Sequence, residues 1–379
     1  MASDKGEATN VLAEWFGHRV YPTVAATPAA LGDQQARRCP FLTIATEANT
    51  LCVKPQRSVG VCTISSTSNG PRQDWLVCPY RAMDPGLIED AARRMFEVAA
   101  NRTVLIHAAN TLARSNVRDE ITAALARGGT AFVYMQDKFG GEVSLSATPK
   151  SPELSFDVTL VELGPGDTIV PTVGRYAILE VQTMDFHGSY SHAVANLSDA
   201  LRLHANNFHE QVGKNVGWLS NKIEGPNIAN VFKRTLYQML LKFRLAGRGS
   251  CAGAALAIPA AVWDSWQRHL AAPILAPATD GTYRLSADPN PDEANSNAWI
   301  YVFDLDAASA VSPNPIVIKK VIHTNSDAVA HFAFKAAPDA ILAEGGAGSL
   351  VVDVIRTRLA AWWPELGPPK RTRNTRTRP

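Results

Sequence analysis

The sequence predicts an α/β protein: a mixed central sheet flanked by helices, preceded by a small N-terminal cysteine-rich module. Three observations predict it. Stretches with strand-like alternation cluster between residues 130 and 182 and return near 297–306. Segments with helical apolar spacing lie on either side of them. Four of the five cysteines, Cys39, Cys52, Cys62 and Cys78, fall early, in a region dense in turn residues such as TSNGPRQD.

Composition sets the outer bounds. The chain has 379 residues, 46% of them hydrophobic and 19% charged, as in an ordinary globular protein with room for a large domain and an attached module. The opening MASDKGEATN lacks the apolar stretch of a signal peptide. The longest apolar run, CAGAALAIPAAVW, is too short to cross a bilayer and contains Pro259. These features predict a cytoplasmic protein with no membrane partner, in which disulfides are disfavoured.

Taken in order, the elements begin with the cysteine-rich segment, residues 1–85. A loop-rich piece of this size builds a weak core and commonly needs a staple. In a reducing compartment, a tetrathiolate metal site supplies one. The spacing is wider than the tight pairs of a zinc ribbon, so four separately buried thiols are the competing reading. Cys251 reads as core. After Pro85, GLIEDAARRMFEVAANR and TLARSNVRDEITAALARGG read as helices, the second closed by Gly128 and Gly129. TAFVYMQ, EVSLSAT, LSFDVTLVEL and GRYAILEVQ follow as strands, the last two separated by GPGDTIVPT. A helix starts near Pro226, with Ile228, Val231, Phe232, Met239 and Phe243 on one side and Arg234, Tyr237 and Arg244 on the other. NAWIYVFDLD is a strand and SLVVDVIRTRLAAWWPEL a helix. Residues 86–365 thus form the body, and 366–379 an expected disordered basic tail.

Charge is unevenly spread. The net charge is only +2, yet Lys370, Arg371, Arg373, Arg376 and Arg378 crowd the tail. Residues 211–248 carry seven basic side chains against the single acid Glu224. A basic segment on a near-neutral body points to a polyanion partner, with a solvated helix face as the plainer alternative.

Chemistry concentrates in and around GRYAILEVQTMDFHGSY. Alternation places Glu180 and Gln182 on one face of their strand, with Leu179 and Val181 on the other. Asp157 lies in the preceding strand and meets Glu180 if the two pair across the 164–173 connection. Glu142 begins a third strand nearby. Three carboxylates at one sheet edge repel unless a hard cation neutralises them, and magnesium suits such oxygen ligands. Magnesium held this way serves phosphodiester hydrolysis. For any single one of these acids, simple solvent exposure is the alternative.

LEVQTMDFHGSYSHAV, FDVTL, CPF…C…GVC…DWLVCP, GPNIANVFKRTLYQM and FGHRVYP together resemble the NotI type II restriction endonucleases, from Phe16 to about Trp363. The resemblance implies a PD-(D/E)-X-K nuclease core and a homodimer that cuts GC-rich palindromic double-stranded DNA with magnesium, in a restriction–modification system. It implies Glu142, Asp157, Glu180 and Gln182 as the catalytic cluster, with magnesium on Asp157 and Glu180. It also implies structural iron on Cys39, Cys52, Cys62 and Cys78, zinc being the alternative. Phe156, not proline, precedes Asp157, and Gln182 stands where the superfamily usually has lysine. An amide can orient water but carries no charge, which shifts the electrostatic burden to the metal and favours a two-metal site.

Asp185, His187 and Tyr190 follow the Glu180 strand at once and are expected near DNA. Lys150, Glu153, Arg175 and Arg234 are candidate base readers, and Lys233 and Arg234 candidate phosphate anchors. A non-catalytic, metal-containing DNA-binding protein is the alternative function.

Overall fold

The computed structural model describes residues 8–166, 170–287, 297–343 and 347–367. The basic tail from Lys370 to Arg378 lies outside the described residues. Among the described residues no helix is long and apolar enough to cross a membrane.

The chain opens with β1 (Asn10–Trp15) and β2 (His18–Arg19), then α1 (Pro28–Ala36) and α2 (Pro40–Thr46). Strands β3 (Val61–Ser66) and β4 (Gln73–Leu76) complete a four-stranded sheet in the order β2-β1-β3-β4. Both helices begin on proline, whose fixed φ suits a first turn and whose missing N–H costs nothing there. Helix α3 (Pro85–Met95) is capped by the Asp84 side chain, which accepts from the Leu87 N–H.

The body then runs β5 (Val104–Ala108), α4 (Ser115–Ala126), β6 (Thr130–Met135), β7 (Val143–Leu145), β8 (Leu154–Phe156), β9 (Val158–Gly164) and β10 (Thr172–Val181). A short β11 (Phe186–Gly188), α5 (Ser191–Leu203), α6 (Phe208–Lys214) and β12 (Ile223–Pro226) lead to the long helix α7 (Ile228–Leu245). After it come β13 (Cys251–Pro259), α8 (Ala260–Trp266), β14 (Ala276–Pro277), β15 (Tyr283–Arg284), β16 (Ala298–Leu305) and β17 (Ile316–Thr324). Helices α9 (Ser326–His331), α10 (Ala337–Ala343) and α11 (Ala347–Leu359) follow. Val351, Val352, Val354 and Ile355 of α11 are exposed, as are Trp362 and Trp363 just beyond it.

The architecture is mixed α/β, with one large mixed sheet flanked by helices. Its strand order is β14-β15-β17-β16-β13-β10-β9-β6-β5. At its centre β10, β13 and β16 are parallel, while β9 runs antiparallel to β10. Helix α3 covers one face and helices α7 and α8 the other, giving two apolar cores on either side of the sheet. A third core lies between the N-terminal sheet and helices α5 and α6.

Two sequence expectations are revised, and one unassigned run gains an element. LSFDVTLVEL is not one strand: it breaks at Asp157 into β8 and β9. EVSLSAT shortens to β7 and pairs only with β8, so Glu142 introduces a hairpin separate from the main sheet. CAGAALAIP, an apolar run without evident period, is the buried central strand β13. Burial on both faces outweighs alanine's weak strand preference.

Candidate active site and cysteine cluster

β10 supplies the site because it is central and buried along its C-terminal half. Its pairing register sets Leu179 opposite Val158, which brings Glu180 level with Asp157. Asp157 sits where β8 gives way to β9, so its polar groups bond sideways instead of along a ladder. Its N–H donates to Glu180 Oε1 at 3.1 Å, and its Oδ2 accepts the Val181 N–H at 3.1 Å. The two acids are thereby locked face to face across adjacent strands.

Glu180 is buried, and its second oxygen, Oε2, stands 2.5 Å from Lys242 Nζ. Burial and the Asp157 charge push the Glu180 carboxyl up to about 7, against the pull of Lys242. Gln182, two residues along, turns to the same side: Thr235 of α7 donates to its Oε1, and its Nε2 donates to the Thr183 carbonyl at 2.5 Å. Glu142 is exposed at the foot of the β7–β8 hairpin. Partial burial and the Asp157 charge raise its carboxyl above the usual range.

Glu142, Asp157 and Gln182 border an open cleft of about 250 Å³ together with Arg234, Gln238 and Gln136, whereas Glu180 faces a small adjoining cavity shared with Asp157, Gln182, Thr235 and Gln238. The structure thus brings together the four residues expected from sequence. It adds Lys242, Thr235 and Gln238, all from α7. The signal for Lys242 was present in its spacing: it falls three residues after Met239 and beside Phe243, on the apolar stripe. Chemically, the Asp157 carboxylate at the edge of an open polar cleft, with the Glu180 carboxylate behind it, is oxygen chemistry of the kind that suits a small divalent cation.

The expected DNA contacts separate into groups. Lys150 and Glu153 are exposed on the turn of the β7–β8 hairpin, which rises directly from Asp157. Asp185 pairs with Arg234 at 3.0 Å, both exposed. His187 lies exposed on β11, and Lys233 is exposed on α7. Tyr190 is half-buried, its phenol pushed up to about 12 by burial. Arg175 stands apart. It occupies the far end of β10, pairs with Glu162 at 3.1 Å, and borders a different cavity with Arg94, Glu97 and Trp299. Five residues of strand span ~16 Å, so Arg175 does not share the Glu180 cleft.

The four early cysteines are free thiols brought to one neighbourhood. Cys39 caps α2 and Cys78 precedes a helical turn on Pro79, while Cys62 lies on β3 and Cys52 in the loop before it. Burial pushes the Cys39 thiol up to about 12, whereas Cys78 is held low. The neighbouring Cys62 thiol lowers it most, and the Lys54 ammonium and the backbone N–H groups of Arg81 and Tyr80 add to the effect. Sulfur donors of this kind suit soft metals in general. Yet among the described residues no group of three or more His, Cys, Asp or Glu stands as a set that could hold a metal ion. Cys251 opens β13 beside Tyr176 of β10 and is buried in the core.

No protein-family model matches the chain, and no curated protein matches it.

Proposed function

We propose that the chain is a magnesium-dependent type II restriction endonuclease with a PD-(D/E)-X-K core, acting as a homodimer on GC-rich palindromic double-stranded DNA. The observation that carries this reading is the reciprocal bonding of Asp157 and the buried Glu180 at the break between β8 and β9, with Asp157 opening onto a cleft that exposed Arg234 also lines and Lys233 next to it in sequence. A protein that only binds DNA has no use for an acidic pair facing phosphates, because the two repel.

Asp157 and Glu180 are the residues that would hold magnesium, whose chemistry when bound is to activate water and offset charge developing on a phosphodiester. Asp157 is fixed by the Val181 N–H, so its carboxylate is set before DNA arrives. Gln182, steadied by Thr235, orients the attacking water through its amide. Glu142, at the cleft rim, is the third acid of the cluster. Lys233 and Arg234 meet the DNA backbone, and the β7–β8 hairpin, carrying Lys150 and Glu153, lies along a groove. Cys39, Cys52, Cys62 and Cys78 would hold structural iron or zinc.

A second reading has one observation in its favour: Glu180 is already satisfied by Lys242 and by the Asp157 N–H, as a structural acid would be. On that reading the protein binds DNA without cutting it. Incubation with a sequenced GC-rich plasmid and magnesium, followed by end mapping, decides between them. Discrete fragments with fixed ends support the endonuclease. Retarded but intact DNA supports the binder.

A further inference from the structure

Asp157 adjoins Glu180 on one side and feels the charge of Glu142 on the other, and Gln182 brings no positive charge to them. The cation buried among them is Lys242, 1% exposed, from a helix that enters the chain well after β10. Its Nζ lies 2.5 Å from Glu180 Oε2 and 5.9 Å from the centre of the Phe156 ring, the residue before Asp157. Lys242 occupies the apolar stripe of α7 between Met239 and Phe243, where a leucine or methionine would pack at lower cost. The same stripe carries Thr235, which holds Gln182. Seven residues of helix cover ~10 Å and two residues of strand ~7 Å, so α7 lies along β10 with Lys242 at Glu180 and Thr235 at Gln182.

We propose that Lys242 is a positioning residue for DNA cleavage: it fixes the Glu180 carboxylate against Asp157 and delivers from α7 the positive charge that Gln182 lacks. The inference rests on the endonuclease reading and deepens it. With one oxygen held by the Asp157 N–H and the other by Lys242, Glu180 has a single orientation beside Asp157, and a ligand fixed in advance binds and acts without reorganising.

The test compares wild type with Lys242→Met, Lys242→Gln and Lys242→Arg in the full-length protein. Three quantities are read: Mn²⁺ affinity by calorimetry without DNA, DNA affinity by gel shift in Ca²⁺, and single-turnover cleavage at saturating DNA in Mg²⁺. Lys242→Met and Lys242→Gln are expected to cut about 100-fold more slowly, a loss on the scale of one aligned polar group at a reacting centre. Both should bind Mn²⁺ about 10-fold more weakly while holding DNA within about twofold of wild type, as expected when an orienting partner of a metal ligand is removed. Lys242→Arg should recover most of both losses. Should the methionine variant not fold, the glutamine variant, which keeps a donor without the charge, carries the same expectation. Wild-type cleavage and Mn²⁺ affinity in either uncharged variant overturn the Lys242 role while leaving the endonuclease intact. Failure of the wild-type protein itself to cut overturns the endonuclease reading, and the role of Lys242 with it.

Discussion

Asp157 and Glu180 differ in what the fold asks of them, although both belong to the same pair. Asparagine in place of Asp157 keeps an oxygen for the Val181 N–H, so Asp157→Asn is expected to fold and bind DNA while losing cleavage. Alanine in place of Glu180 leaves the Lys242 ammonium buried and unpaired, which costs about 3–5 kcal/mol. Urea unfolding read beside a Ca²⁺ gel shift separates them: Asp157→Asn should unfold near the wild-type midpoint, and Glu180→Ala well below it. Near wild-type cutting by either variant would remove both acids from the site. The raised Glu180 carboxyl also sets a direction with pH. Its folded value, about 7, lies above the ordinary carboxylate value, so its contribution to stability is full below the unfolded value and lost as pH rises through about 7. Because a metal ligand must be unprotonated, Mn²⁺ affinity should rise between pH 5.5 and pH 8 and raise the Tm more at the higher pH. Equal affinity at both values would exclude Glu180 as a ligand.

At the level of elements, β10 was readable because alternation is a local signal, and so was the meeting of Glu180 with Asp157 across a short connection. The break at Asp157 was not readable. FDVTL has the composition of an unbroken strand, and only the competing bonds to Glu180 and Val181 interrupt it. Lys242 was missed for a different reason, although its spacing puts it on the apolar stripe of α7. In sequence it belongs to a run of basic residues that reads as a solvated face, and its burial is settled by packing against a strand some sixty residues earlier. Arg175 lies on the strand expected for it, but the strand is long enough to carry it away from the Glu180 end. Arg175→Ala should therefore leave site preference unchanged. Lys233→Ala, on exposed α7, should weaken binding alike on all sequences and reduce the salt slope by about 1. Affinities for singly substituted sites at several salt concentrations check both; a preference altered by Arg175→Ala would return that residue to base reading. The cysteine-bearing elements give a further expectation. Cys39→Ser, Cys52→Ser, Cys62→Ser and Cys78→Ser should each lower bound iron or zinc and destabilise the N-terminal segment, and Cys251→Ser should do neither. Elemental analysis decides it, and protein without either metal near one atom per chain defeats the cage.

Across the whole molecule, the N-terminal sheet is bonded into the body at several buried points. Arg81 grips Glu14 of β1 through two bonds of 3.0 and 3.1 Å, and donates to the Asn314 carbonyl at 2.6 Å. His18 bridges Asp33 at 2.9 Å and Ser312 at 2.8 Å, while Arg19 reaches both Asp74 and Asn314. Asn10 donates to the Ile223 carbonyl, and Met184, just past the Glu180 strand, donates to the Leu76 carbonyl. A division at residue 85, natural from the sequence, cuts through this network. Residues 86–365 expressed alone are expected to lack a cooperative thermal transition by circular dichroism, and a sharp transition in that fragment would contradict the dependence. The attachment also bears on how such proteins diverge. A cysteine segment that could be exchanged as a cassette would let recombination shuffle it between lineages. Here a transplanted segment would meet foreign partners for His18, Arg19 and Arg81, so it must travel with the 306–315 loop that receives them, and inheritance as a single block is the expected history.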